Sequence, residues 1–276
     1  MDIIIFLKTN VPSLSLVKDK NMQQANSDTL QTETSTYIDE GFLNCKELDP
    51  LSLALDMIKT EWSLRKKGIQ STVVLFGSAR IPEPGHPALS TQNTKQKNNL
   101  ELASFYYEHA RTFARLCSQY SAKTCYREFT IVTGGGPGIM EAGNRGASDV
   151  GAPSIGLNIM LPHEQKPNSY ITPELSFKFH YFAIRKIHFL MRAKALAVFP
   201  GGFGTFDELF EALTMIQTGR MKRVPILMFG KTFWKKACNI DYLAEQGTIS
   251  HDDMNLFEFI DTAIEGWDKI KSFYNL

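Results

Sequence analysis

The chain has 276 residues, 43% hydrophobic and 21% charged, with 30 lysines and arginines against 29 aspartates and glutamates. A chain of this size and makeup buries a sizeable core. Its net charge of +1 supplies no long-range pull toward nucleic acid or an anionic membrane, so any anion must be recognised locally.

Residues 1–45 stand apart from the rest. Their apolar start, residues 1–7, is too short for a signal segment, and Asp2 stands where a basic residue is expected. The run from Met22 to Thr36 is polar and without periodic apolar anchors. It reads as an extension, partly disordered or ordered only against another subunit. Residues 46–276 read as a single nucleotide-binding catalytic domain. From Pro50 to about Gly68 the spacing of Leu51, Leu53, Leu55, Ile58, Trp62 and Leu64 predicts an amphipathic helix with proline in its first turn.

The chain then alternates between short apolar runs and helical stretches. Residues 72–77 predict a buried strand, 82–99 a loop and 100–120 a long helix. A strand at 129–133 breaks into Gly134-Gly135-Gly136-Pro137-Gly138, followed by a helix through Met140 and Ala147 and a strand at 154–158. Further strands are expected at 177–182, 195–199 and 225–229, and helices at 183–192, 205–218 and around 257–274. This alternation predicts an α/β fold: a Rossmann-like, doubly wound, mostly parallel sheet with helices on both faces. Ligands in such folds bind at the carboxyl ends of the strands.

Three of those ends carry suggestive chemistry. Residues 134–138 and the run Pro200-Gly201-Gly202-Phe203-Gly204 each end a strand and open a helix. Glycine lets backbone N–H groups approach a phosphate, and the helix start adds the positive end of its dipole. Gly77-Ser78-Ala79-Arg80 adds a hydroxyl and a guanidinium at a third tip. A single such loop is equally well explained as a tight turn; three together favour a shared anion site. Neither strong loop has the G-x-G-x-x-G spacing or the Gly-Lys-Ser/Thr of a P-loop, and Asn158 stands where a dinucleotide site has an acid, so NAD binding and ATP hydrolysis are disfavoured.

The nine residues Pro200-Gly201-Gly202-Phe203-Gly204-Thr205-Phe206-Asp207-Glu208 resemble the P-G-G-x-G-T-x-x-E signature of the LOG family. Its members are cytokinin riboside 5′-monophosphate phosphoribohydrolases, with bacterial relatives similar to AMP nucleosidases, formerly named lysine decarboxylases. The 134–140 loop and the Arg185-Lys186 pair occur in the family's order, and the extended N-terminus and the 81–98 loop resemble its longer bacterial branch. The resemblance spans about residues 72–230. It implies hydrolysis of the N-glycosidic bond of a nucleoside 5′-monophosphate, AMP foremost, in a cytoplasmic homodimer or higher homo-oligomer that needs no cofactor. It also implies Glu208 and Arg185 as catalytic residues. Gly77, Ser78, Gly135, Gly136, Gly138, Met140, Lys186, Gly201, Gly202, Gly204 and Thr205 would bind substrate.

Other readings compete at several positions. Thr205-x-x-Glu208 is also a capping-box pattern, and an isolated arginine is ordinarily a solvated surface residue. Glu141 and Asp207 suit helix starts through the dipole. Met140, Phe203 and Met160 read as packing residues or the lining of a purine pocket, and His180 and His188 as structural or base-contacting. No metal-ligand spacing surrounds those histidines. Cys45, Cys117, Cys125 and Cys238 form no Cys-x-x-Cys pair, which leaves reduced thiols as the plain reading. A decarboxylase would need Lys186 or Lys194 for pyridoxal phosphate, and no partner for the cofactor ring is identifiable. A non-catalytic nucleotide-binding module is the remaining rival. No run reaches the roughly 18 apolar residues of a membrane helix, so the expectation is a soluble protein.

Overall fold

Strand β1 (Thr72–Phe76) is buried along its whole length, and its side chains alternate between two hydrophobic layers. Val73 and Leu75 enter one core, Val74 and Phe76 the other, as the two-residue period of a strand dictates. The same division holds in β5 (Ala193–Val198), where Ala195 and Ala197 face one layer and Leu196 and Val198 the other. A central strand covered on both faces has no solvent side, which is why the sequence there is an unbroken apolar run.

The computed structural model describes residues 45–88, 90–160 and 166–276; the readings of the polar extension fall outside them, Cys45 apart. Lys46–Leu276 forms one compact unit. Its sheet comprises β1, β2 (Thr130–Thr133), β3 (Ser154–Ile159), β4 (Ser176–Phe179), β5, β6 (Ile226–Phe229) and β7 (Glu258–Ile260). The spatial order is β4-β3-β2-β1-β5-β6-β7 and every pairing is parallel. The fold is Rossmann-like α/β.

Nine α-helices occur among the described residues: α1 (Asp49–Lys66), α2 (Thr94–Leu102), α3 (Phe105–Ser121), α4 (Ile139–Ser148), α5 (Phe182–Met191), α6 (Phe203–Gln217), α7 (Lys231–Ala237), α8 (Ile240–Glu245) and α9 (Ala263–Tyr274). Helices α3, α4 and α9 cover one face, through residues such as Phe113, Ile139 and Trp267. Helices α1, α5, α6, α7 and α8 cover the other, through Leu64, Phe189, Leu209, Trp234 and Ile240. The chain builds outward from β1 to β4, then returns to place β5 against the other side of β1. That reversal opens a crevice above the carboxyl ends of β1 and β5.

Several boundaries differ from the sequence reading. The expected loop to residue 99 stops at Asn93, whose side chain accepts the Gln96 N–H and caps α2, and the single long helix is two, α2 and α3, separated at Ala103-Ser104. The expected strand at 177–182 ends at Phe179, and α5 begins at Phe182. The expected C-terminal helices begin only at Ala263; residues 258–260 form the edge strand β7 beside β6. Helix α1 is where it was predicted, but its apolar stripe faces outward. Leu51, Leu55, Ile58 and Trp62 are exposed, while Thr60 and Leu64 are buried. Position in the fold, not amphipathic pattern, sets which side of α1 meets the core. No helix among the described residues is long and apolar enough to cross a membrane.

Candidate functional site

Above the β1–β5 boundary lies a cleft of about 880 Å³. Ser78, just past β1, ties its walls together. The Ser78 N–H donates to the Pro200 carbonyl (3.0 Å), and its own carbonyl accepts from the Ile139 N–H (3.1 Å). The tips of β1, β2 and β5 thus meet through one residue, and all three glycine-bearing turns contribute to the lining.

The glycines divide by what a side chain there would meet. At Gly77 a Cβ would lie 2.6 Å from Ile139 Cγ2, and at Gly138, where φ is +68°, 2.5 Å from the Ser78 carbonyl oxygen. These two let α4 start hard against β1, and Gly138 does not line the cleft. Gly135 likewise backs onto the Asn158 side chain and lies outside the lining. Gly202 and Gly204 are different. Both line the cleft, neither has positive φ, and a Cβ on either would touch nothing within 4 Å. Packing does not require glycine there; open approach to backbone N–H groups at the start of α6 is what it provides.

Loop 134–138 is held by residues that sequence reasoning missed. The Asn168 N–H (2.9 Å) and Nδ2 (3.2 Å) both donate to the Gly135 carbonyl, and Nδ2 also reaches the Gly136 carbonyl and Asn144 Oδ1, each at 3.0 Å. Asn144 is fully buried and accepts from Thr133 Oγ1 at 2.7 Å. A trans peptide sets C=O and N–H in opposite directions. Drawing the Gly135 carbonyl toward Asn168 therefore turns the Gly136 N–H away from it, and Gly136 lines the cleft. Asn168 follows Pro167 in a polar stretch, where nothing local marks it; Asn144, by contrast, is inexpensive to bury only because it is hydrogen-bonded.

Glu208 and Arg185 meet in the cleft wall. Glu208 is 4% exposed, and its Oε1 accepts from Arg185 Nη2 at 3.3 Å. Its Oε2 and the Arg185 Nε are buried without partners among the described residues. Burial pushes the Glu208 carboxyl from its ordinary 4.5 up to about 7, against the opposing pull of the Arg185 guanidinium. The guanidinium is itself packed near Phe182 and Phe189, its Cζ 5.2 and 5.5 Å from the ring centres. The capping-box alternative does not hold: α6 starts at Phe203 with Gly202 as N-cap, so Thr205 lies inside the helix and leaves Glu208 free of any capping bond.

Gly77, Ser78, Gly136, Met140, Arg185, Gly201, Gly202, Gly204, Thr205 and Glu208 all line the cleft, joined by Arg80, Asn158 and Lys166. Lys186 does not. It lies one position further round α5, and its Nζ pairs with Asp207 (2.7 Å) and Glu211 (3.3 Å) outside the cleft. Phe203 is not a packing residue, being 96% exposed at the cleft margin, and Met160 lies outside the lining. His188 is buried against Phe179, and the His180 N–H fastens to Asp56 of α1; neither lines the cleft. Among the described residues no cluster of three or more His, Cys, Asp or Glu is placed to hold a metal ion.

Residues 140–270 match the family model described as possible lysine decarboxylase. The fold is similar to that of a molybdenum cofactor binding protein from the phototrophic bacterium Rippkaea orientalis, with 14% identity and a TM-score of 0.47 over 74% of this chain and 98% of that one. It is also similar to the molybdenum cofactor carrier protein of Chlamydomonas reinhardtii, with 14% identity and a TM-score of 0.48 over 75% and 99% of the two chains. No curated protein sequence matches the chain. The matched segment, a little under half of the chain, includes the 200–208 signature, and over these residues the chain is similar to the LOG family, whose model carries the lysine decarboxylase description.

Proposed function

We propose that the protein hydrolyses the N-glycosidic bond of a nucleoside 5′-monophosphate, AMP foremost, to the free base and ribose 5-phosphate. One observation carries the reading: a buried carboxyl with a free oxygen, poised near neutrality, stands in the same cleft as an uncovered helix start. The 5′-phosphate sits on the N–H groups at the start of α6, where glycine leaves room. Aromatic and apolar residues of the lining, Phe182, Phe189, Phe206 and Phe233 among them, take the base.

As the C1′–N bond breaks, its electron pair goes to the base and positive charge builds on the ribose. The Glu208 carboxylate stabilises that charge and takes a proton from the water whose oxygen bonds to C1′. A carboxyl near pKa 7 both accepts and returns a proton at neutral pH, so it is suited to reprotonating the departing base. Arg185 remains charged throughout and keeps the carboxylate accessible.

A decarboxylase is a poorer fit. Lys186 is committed to two carboxylates outside the cleft, and Lys194 lies on the opposite end of β5, over the rings of Phe129 and Tyr274. The proposed assembly is a homo-oligomer seated on α1. Its outward stripe is flanked by exposed Glu47 and Asp49 at one end and Arg65 and Lys66 at the other. Antiparallel pairing across a two-fold axis would set unlike charges together.

Incubating the protein with a panel of nucleoside monophosphates, nucleosides and lysine, then separating the products by chromatography, tests the activity. Release of adenine and ribose 5-phosphate from AMP is expected. Recovery of intact AMP that nonetheless binds would make the protein a nucleotide-binding module, and carbon dioxide from lysine would make it a decarboxylase.

A further inference from the structure

The cleft extends further than a nucleoside monophosphate requires. Two glycine turns open on it, after β2 through Gly134 and Gly136 and after β5 through Gly201 and Gly202. With β1 alone between those strands, the turns lie about 10 Å apart at ordinary strand spacing. With Glu208 facing the anomeric carbon, a 5′-phosphate on α6 leaves the β2 turn unused, together with the region beyond it toward β3.

That unused end is equipped with three complementary groups. The Gly136 N–H is turned away from the Asn168 clamp and donates to no group among the described residues. Lys166, two residues before the Asn168 that holds this turn, brings a positive charge to the lining of the cleft. Asn158, near the end of β3, is only 9% exposed yet lines the cleft. Its Nδ2 donates to the Phe177 carbonyl at 3.2 Å and, more weakly, to Ser176 Oγ at 3.5 Å. A carbonyl oxygen only accepts, so that bond fixes which way the amide points. Asn158 Oδ1 accepts from no donor among the described residues. An acceptor beside a cation and a free N–H matches a ligand that carries both hydroxyl and phosphoryl groups. In doubly wound folds, the strand after the glycine-rich turn ends in the residue that hydrogen-bonds a ribose hydroxyl; Asn158 holds that position, and its amide oxygen accepts a hydroxyl as a carboxylate would.

We propose that the β3 end of the cleft is a second ribosyl-phosphate subsite, so that the protein binds nucleotides whose 5′-phosphate continues through a pyrophosphate into another ribose. Gly136 N–H and Lys166 meet the second phosphoryl group, and Asn158 Oδ1 accepts from a hydroxyl of the second ribose. The orientation of the ligand rests on the proposed function; the chemistry of the subsite does not.

Calorimetric titration of AMP and ADP-ribose into the Glu208→Gln protein, which prevents turnover from confusing the heats, tests the idea. ADP-ribose is expected to bind about tenfold more tightly than AMP, as one added charge-assisted contact supplies. Asn158→Leu and Lys166→Ala, made separately in that background, should each bring the ratio of the two affinities toward one. ADP-ribose binding no tighter than AMP, or a gain that survives both substitutions, would overturn the subsite. If AMP fails to bind while ADP-ribose binds in a way that depends on both residues, the subsite stands and the monophosphate reading falls.

Discussion

A carboxyl that keeps its proton to about pH 7 in the folded chain, but releases it near 4.5 when unfolded, makes stability depend on pH in a defined direction. Between those values the folded state binds the extra proton, so stability is full below 4.5 and declines as pH rises to 7. The loss from Glu208 is about 3 kcal/mol, because each tenfold change in proton affinity is worth about 1.4 kcal/mol. Thermal melts of wild type and Glu208→Gln should therefore diverge in the variant's favour between pH 4.5 and 8; parallel curves would show that the carboxyl is not buried as described. In the proposed reaction the same substitution should lower turnover by about 10²–10⁴, read from adenine release. The acid limb of the wild-type rate profile should rise through about pH 7 as the carboxylate forms. Removing the guanidinium with Arg185→Gln takes away the influence that holds this carboxyl down, so that limb should move to higher pH. Gly204→Ala separates binding from folding. Its Cβ meets nothing, so helix propensity should raise stability by roughly 0.4–1 kcal/mol in urea unfolding, while AMP binding weakens because the methyl occupies the approach to the backbone. Glu208 was legible from its nine-residue setting. The Asn168 clamp was not, because its partners are backbone carbonyls brought together by the fold.

Among the elements, α1 shows most plainly where sequence stops being informative. Its position and its proline-bearing first turn follow from local pattern, but the side it presents to the core does not. Contacts with α5 bury Thr60 and Leu64 and leave Trp62 61% exposed. In the proposed assembly this outer apolar row is the face that meets the partner. Trp62→Glu is expected to shift the protein toward smaller species in sedimentation velocity without lowering its melting temperature at low concentration. An unchanged sedimentation profile would remove α1 as the seat of assembly. The strand β7 was missed for a related reason: a three-residue edge strand has no periodicity of its own, and its pairing with β6 supplies the order that the sequence lacks. Helices α7 and α8 are comparably short and went unread.

At the scale of the molecule, alternation of strand and helix was enough to anticipate a doubly wound sheet, because parallel strands need crossover helices and a reversal point. The three glycine-bearing turns were expected to share one site, and they do line one cleft; alternation was not enough to say which side chains would join them. That followed only from the strand order, which brings the β1, β2 and β5 tips together, and from the turn of α5 that leaves Lys186 outside. Phe203 gives this arrangement a practical use. Its ring projects almost wholly into solvent at the rim of the cavity, while two of the three native tryptophans, Trp234 and Trp267, are shielded in the interior. An indole substituted there would begin in water and be overlaid by whatever enters, so its emission would move to shorter wavelength on occupancy. The position thus offers an optical gauge of ligand entry that can be followed in a stopped-flow instrument, independent of any bond being broken.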